Sequence, residues 1–211
     1  DLMDAQTNPT IAPYAKTGEV HLRVTAKADS EEKAQELMAP MMEELFQRFG
    51  DKIYTTEEDV TLEEAIVRML EEDGMTVTTA ESCTGGLLAG RITNVPGASN
   101  VYKEGYVTYS NDAKERLLRV KRETLMQHGA VSPQTAYEMA EGVALAAGAD
   151  ASLSITGIAG PGGGTEEKPV GLVYIGCYVK GHVRVEEFYF TGNRDKNREY
   201  AVARALTLLR E

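Results

Sequence analysis

A three-layer α/β/α sandwich on a mixed sheet, preceded by a small N-terminal βαβ unit, is the α/β architecture this sequence of 211 residues predicts. Three observations carry it. Strand-like apolar segments alternate with stretches whose apolar residues recur at helical spacing. The last two strand-like segments are separated only by Lys180-Gly181-His182, a hairpin-like turn that makes the sheet mixed. An acidic stretch from Thr55 to Asp59 divides the chain into residues 1–57 and 58–211.

In the first part, residues 1–13 are polar, lack periodicity and read as a lead-in. Glu19 to Ala26 alternates strictly and predicts a half-buried strand with Val20, Leu22 and Val24 on its inner face and His21 on its polar face. Asp29 and Glu32 are spaced for a capping box before a helix that ends at Gly50, with a kink expected at Pro40. The methionines of that helix read as core. Lys52-Ile53-Tyr54 completes the predicted βαβ unit.

In the second part, Thr61 and Glu64 form another capping box ahead of a helix stopped by Gly74. Met75 to Ala80 predicts a short buried strand. It runs into Glu81-Ser82-Cys83-Thr84-Gly85-Gly86, after which a helical pattern resumes at Leu87. A strand, tight turn and helix start point unpaired N–H groups at one place, which suits a phosphate, a carboxylate or an oxyanion. Further strands are expected at Gly105 to Tyr109, Ala149 to Thr156, Gly171 to Val179 and Val183 to Phe190. Helices are expected at Asp112 to Arg119, from Pro133, and from about Asp195 to Arg210.

Composition narrows the function. The formal net charge is −11, and both parts carry more acidic than basic residues, which argues against duplex nucleic acid as a partner but leaves room for a small anion. No apolar run has the length of a membrane span and the start at Asp1 has no signal-peptide pattern; the two scattered cysteines make a reducing cytoplasm the expected compartment. Cys83 and Cys177 are too few for a disulfide framework or a structural zinc site.

Catalysis by hydrolysis requires a nucleophile, a base and oxyanion donors. Ser82, Cys83, Ser99 and Ser110 are candidate nucleophiles. His21, His128 and His182 adjoin none of them, so a serine-protease type of triad is disfavoured. Lys114 is the alternative base, because burial lowers a lysine pKa toward neutrality, although a surface lysine in a first helical turn fits the pattern alone better. The glycine-dense loop Gly157 to Gly164 lacks the Lys-Ser/Thr of a phosphate-binding loop and is either a close backbone approach to a ligand or a flexible turn. Arg194 can grip a phosphate or pair with Asp195.

Six blocks in unbroken order resemble the C-terminal domain of the CinA (competence/damage-inducible protein) family. They are Thr79 to Gly86, Gly105 to Asn111, His128 to Ser132, Gly157 to Pro161, Glu167 to Gly171 and Gly192 to Arg194. Residues 1–57 resemble the family's KH-like linker domain, and the molybdopterin-binding-like domain that precedes it in the family is not in this sequence. The resemblance implies a nicotinamide mononucleotide amidohydrolase that releases ammonia by a metal-independent Ser/Lys mechanism, in a homodimer and without a cofactor. By order it places the nucleophile on Ser99 and the base on Lys114, with Ser82 in reserve. Tyr109 and Arg194 match further site positions. The phosphate is assigned to Arg194 with Thr84, Gly85 and Gly86, the Gly157 loop also facing substrate, while the turn at Gly85 remains an alternative oxyanion site. A non-catalytic nucleotide-binding or assembly module is the competing reading.

Overall fold

A computed structural model describes residues 1–4 and 6–211, which form two compact units, Asp1–Glu58 and Asp59–Glu211. Among the described residues no helix is long and apolar enough to cross a membrane.

The first unit is ββα, and this corrects the expected βαβ order. β1 (Thr10–Lys16) and β2 (Glu19–Thr25) form an antiparallel hairpin with Ile11 opposite Val24 and Pro13 opposite Leu22. Residues 10–13 are thus strand, not lead-in; Pro13 is tolerated because a two-stranded ribbon is all edge. α1 (Glu31–Phe49) starts from Ser30, whose hydroxyl accepts the Lys33 N–H, while Asp29 lies 3.8 Å from the Lys33 amine instead of capping. The helix continues through Pro40 and ends at Gly50, where a short 3-10 turn, Gly50–Lys52, stands in place of the expected second strand. The inward face of β2 is as expected at half-buried Val24 but the reverse at the start of the strand. Glu19 and His21 are half-buried and Val20 and Leu22 exposed, because the Tyr54 hydroxyl bonds the Glu19 carboxylate and lies 3.5 Å from His21 Nε2 on that face. Ile11 and Leu45 are buried.

In the second unit α2 (Leu62–Glu72) is capped by Thr61, which accepts the Glu64 N–H, and it turns at left-handed Gly74 into β3 (Val77–Glu81). α3 (Leu87–Thr93), β4 (Tyr102–Val107), α4 (Asn111–Leu118), α5 (Arg122–His128), α6 (Pro133–Ala147) and β5 (Ala151–Gly157) follow. The chain closes with β6 (Leu172–Val179), β7 (His182–Tyr189) and α7 (Arg194–Arg210). Lys180 and Gly181, both at positive φ, make the tight two-residue turn between β6 and β7.

Strand order is β4-β3-β5-β6-β7, with β4, β3 and β5 parallel and the β6/β7 hairpin antiparallel. α2, α3 and α7 pack together on one face and α4, α5 and α6 on the other, giving three layers. Since the chain leaves β3 for β4 on one side and then crosses to β5 on the other, the loops after these three strands diverge from one edge. Such a switch point opens a crevice at the carboxyl ends of parallel strands.

The α6 layer sits very close to the sheet. Ser152, Ser154 and Thr156, alternate residues on one face of β5, donate to the carbonyls of Ala140, Ala136 and Ala130 at 2.6, 2.6 and 2.7 Å. These bonds satisfy hydroxyls that burial would otherwise penalise. Glycine permits the approach: a Cβ on Gly176 would lie 2.8 Å from the Ala136 carbonyl oxygen, and one on Gly142 of α6 only 1.9 Å from that of Leu118. Gly142→Ala should therefore force α4 and α6 apart and cost about 1–3 kcal/mol. Denaturant unfolding of the variant checks this, and an unchanged midpoint would mean the helices slide apart freely.

Candidate active site

β3 is held on both sides to its last residue: Thr108 N–H donates to Glu81 O at 2.8 Å and Ser82 N–H to Ile155 O at 2.9 Å. The chain then turns sharply, Gly85 N–H donating back to Ser82 O at 3.1 Å, with Gly85 and Gly86 at φ +60° and +99°. Glycine takes two successive left-handed positions without a Cβ clash. The start of α3 is already occupied by an anion. Glu81, buried, accepts the N–H groups of Gly86, Leu88 and Ala89 at 3.0, 3.0 and 2.8 Å. The expected use of the Thr84-Gly85-Gly86 helix start for a phosphate meets a place filled by the chain's own carboxylate.

Lys114 is the largest buried surprise. Its side chain runs from the first turns of α4 into the crevice and is 1% exposed. Nζ donates to Thr108 O at 2.8 Å and to Ser82 Oγ at 3.2 Å. Burial disfavours the ammonium form and lowers its pKa to about 8. Ser110 aims the lysine indirectly, as its hydroxyl caps α4 by accepting the Ala113 N–H. Ser110 is thereby explained as a cap.

The expected pairing of Ser99 with Lys114 is not the one the fold makes. Ser99 is exposed in the 3-10 turn Ala98–Asn100, its carbonyl accepting from the Lys103 amine. The reason is topological. That turn leads into the amino end of β4, where Val77 N–H bonds Val101 O, whereas Lys114 lies beyond the strand's carboxyl end. Six strand residues span roughly 20 Å. Cys83 is buried as well, and burial pushes its thiol up to about 11, so it is no thiolate nucleophile. His128 and His182 are exposed, and His21 lies in the first unit.

The first turns of α7 tie the neighbouring loops together. Arg194, exposed, donates from Nη1 to Gly160 O at 2.8 Å, bracing the loop that follows Gly157, and does not pair with Asp195. Buried Asn197 donates to Ala159 O and accepts the Gly192 N–H. Arg198 reaches the Ser82 turn itself, Nε to Cys83 O at 3.0 Å and Nη2 to Thr84 O at 2.8 Å. Tyr109, adjacent to Thr108, is 64% exposed. The hydroxyls of Thr84 and Thr108 are buried and have no partner among the described residues. Glu81, Thr108, Asn197 and Arg198 escaped sequence reading. The spacing of residues 194, 197 and 198, which puts them on one helical face, was the available signal.

The catalytic-looking unit matches the family model of the CinA C-terminal domain over residues 59–211, and residues 1–55 match the damage-inducible protein CinA KH domain. The chain belongs to the CinA family. A Clostridium novyi protein named for competence-damage induction is 54% identical over 210 residues, covering 100% of this chain and 50% of its own. A CinA-like protein of Kosmotoga olearia is 52% identical, with 100% and 51% covered. The chain therefore spans about half the length of the curated relatives it matches. Two crystal structures also resemble it. A CinA superfamily protein from Klebsiella pneumoniae has a TM-score of 0.69 and 38% identity over 71% of this chain and 93% of its own. A competence/damage inducible protein from Agrobacterium tumefaciens has 0.67 and 44% over 73% and 97%. The CinA fold is thus shared, and within it the Ser82–Lys114 contact is the feature with chemical consequence.

Its electrostatics carry a measurable sign. Below pH about 8 the amine is protonated in folded and unfolded chains alike, and the folded chain bears the full cost of a buried charge. Between about 8 and the ordinary value of 10.5 the folded chain has lost that proton while the unfolded chain retains it, so the cost fades. The parent should accordingly gain melting temperature relative to Lys114→Met as pH rises from 8 to 10. A constant difference across that range would mean the amine is solvated.

Proposed function

We propose that the chain is an amidohydrolase that hydrolyses the carboxamide of nicotinamide mononucleotide to the carboxylate and ammonia, with Ser82 rather than Ser99 as nucleophile and Lys114 as base. The observation that carries the reading is the 3.2 Å contact between Ser82 Oγ and a buried lysine amine whose pKa is lowered to about 8. CinA kinship supplies the substrate expectation.

In this reading Ser82 Oγ attacks the amide carbon as its proton passes to neutral Lys114 Nζ. The resulting ammonium returns the proton to the departing amine, ammonia leaves, and an ester on Ser82 remains. Lys114 then takes a proton from water, which attacks the ester, and donates it back to Ser82 as the nicotinate carboxylate is released. Among the described residues the Thr84 N–H donates to no acceptor and the Cys83 N–H only faces its own thiol, so both can turn to the developing oxyanion. An N–H from the residue after the nucleophile is the arrangement of other serine hydrolases. Thr108 O fixes the amine and leaves its lone pair to face Ser82. Arg194, with donors beyond the one given to Gly160, serves the substrate phosphate, and the exposed ring of Tyr109 offers a stacking face for the pyridine.

Ammonia release from nicotinamide mononucleotide by the purified chain tests this. Ser82→Ala should lose about 10³-fold or more in kcat/KM and Ser99→Ala should stay within a few-fold of the parent. In the parent, kcat/KM should climb with pH until the free-enzyme base is neutral, levelling above about 8. Tight binding with no ammonia formed would replace the reading by a non-catalytic binding module.

A further inference from the structure

We infer that Arg198 is a positioning residue that holds the peptide between Cys83 and Thr84 with its N–H facing the reacting carbonyl, so that the oxyanion site depends on α7. The inference rests on the proposed hydrolase reading and names the element that builds its electrophilic half.

From Ser82 to Ala89 nearly every backbone N–H is committed. Ser82 gives its N–H to Ile155 O, Gly85 to Ser82 O and Leu87 to Thr84 O, while Gly86, Leu88 and Ala89 donate to the Glu81 carboxylate. Among the described residues two donate to no other residue, Cys83, whose N–H faces its own thiol, and Thr84. Thr84 is fully buried, where an unpaired N–H is costly, and its hydroxyl is buried and unpartnered among the described residues too. A ligand oxygen would satisfy this unmet donor capacity.

The orientation of these donors is set from α7. In a trans peptide the N–H points opposite to the carbonyl, and among the described residues the cis bonds are those before Pro9 and Pro161. Arg198 Nε draws the Cys83 carbonyl toward α7, so the Thr84 N–H of that same peptide points away from α7. Arg198 Nη2 holds the next carbonyl, that of Thr84, and its peptide partner Gly85 N–H closes the turn onto Ser82 O. One guanidinium fork thereby fixes two successive peptide planes, a geometry that the single ammonium of lysine cannot reproduce. Glu81 pins the far side of the same turn. Without the fork, the Cys83–Thr84 peptide is flanked by glycine on one side only and can rotate, turning its carbonyl toward the place an oxyanion would occupy.

A merely structural arginine and a positioning one differ in what they change. Arg198→Met and Arg198→Lys should be compared with the parent for ammonia release, melting temperature and the rate at which a fluorophosphonate probe phosphonylates Ser82 with loss of fluoride, followed by mass spectrometry. The expected result for Arg198→Met is a fall of about 10²–10³ in kcat with KM within threefold, and a parallel fall in probe reaction. Arg198→Lys should recover part of both, and millimolar guanidinium should restore activity to an Arg198→Ala chain. Probe reaction at the parental rate in Arg198→Met would overturn the inference. So would losses that follow melting temperature alone in every variant without guanidinium rescue. If the parent reacts with the probe at Ser82 but releases no ammonia from nicotinamide mononucleotide, the substrate assignment fails while the probe rates still decide the role of Arg198. A parent that does not react at Ser82 overturns both.

Discussion

A lysine amine sealed among strand ends, with the Thr108 carbonyl on one side and the Ser82 hydroxyl on the other, is the contact on which the rest of the second unit depends. A charged ammonium in that position is expensive, and two hydrogen bonds do not replace bulk water. The arrangement persists because both partners are rigidly placed. Thr108 is tied to Glu81 through the last rung of the β3/β4 ladder, and Ser82 to Ile155 at the end of β5. Ser110 starts α4 at the one register that sends Lys114 inward. Removing any of these holds would leave the amine free to reach water and recover its ordinary basicity.

The polarity of the site is equally local. In a chain of formal net charge −11, a generic anion trap is not available, and the helix start that would normally serve is spent on Glu81. That internal cap stabilises the turn and simultaneously decides which amides stay uncommitted. Positive charge comes instead from α7, where Arg194 and Arg198 lie on one face and reach different loops. One arginine closes the glycine-rich loop at Gly160; the other grips the Ser82 turn. Their neighbour Asn197 joins Ala159 to Gly192, so a single helical turn coordinates three connections that are far apart in sequence.

Where sequence reading failed, it failed for stated physical reasons. Alternation in Glu19 to Thr25 showed a strand but not which face turns inward, since a two-stranded ribbon has no sheet neighbour to impose burial, and a tyrosine hydroxyl decided it. Order of the family blocks put the nucleophile on Ser99 and left Ser82 in reserve, both being serines near turns. Strand direction separates them, because one turn precedes β4 and the other follows β3, at opposite ends of two neighbouring parallel strands. Arg198 carried no local signature, being one more polar residue on a helix whose partners are more than a hundred positions away.

The alternation of strands and helices in the second unit, the hairpin that makes the sheet mixed, the glycine turn after β3 and the six family blocks were determined by the sequence alone. Each depends on local periodicity, on φ angles that glycine alone tolerates, or on residues adjacent in the chain. Only the tertiary structure decided which serine meets the lysine, which carboxylate fills the helix start and which arginine steers the turn. Those outcomes depend on where parallel strands end relative to one another. Strand pairing and layer packing set that relation, and no stretch of the chain encodes it by itself.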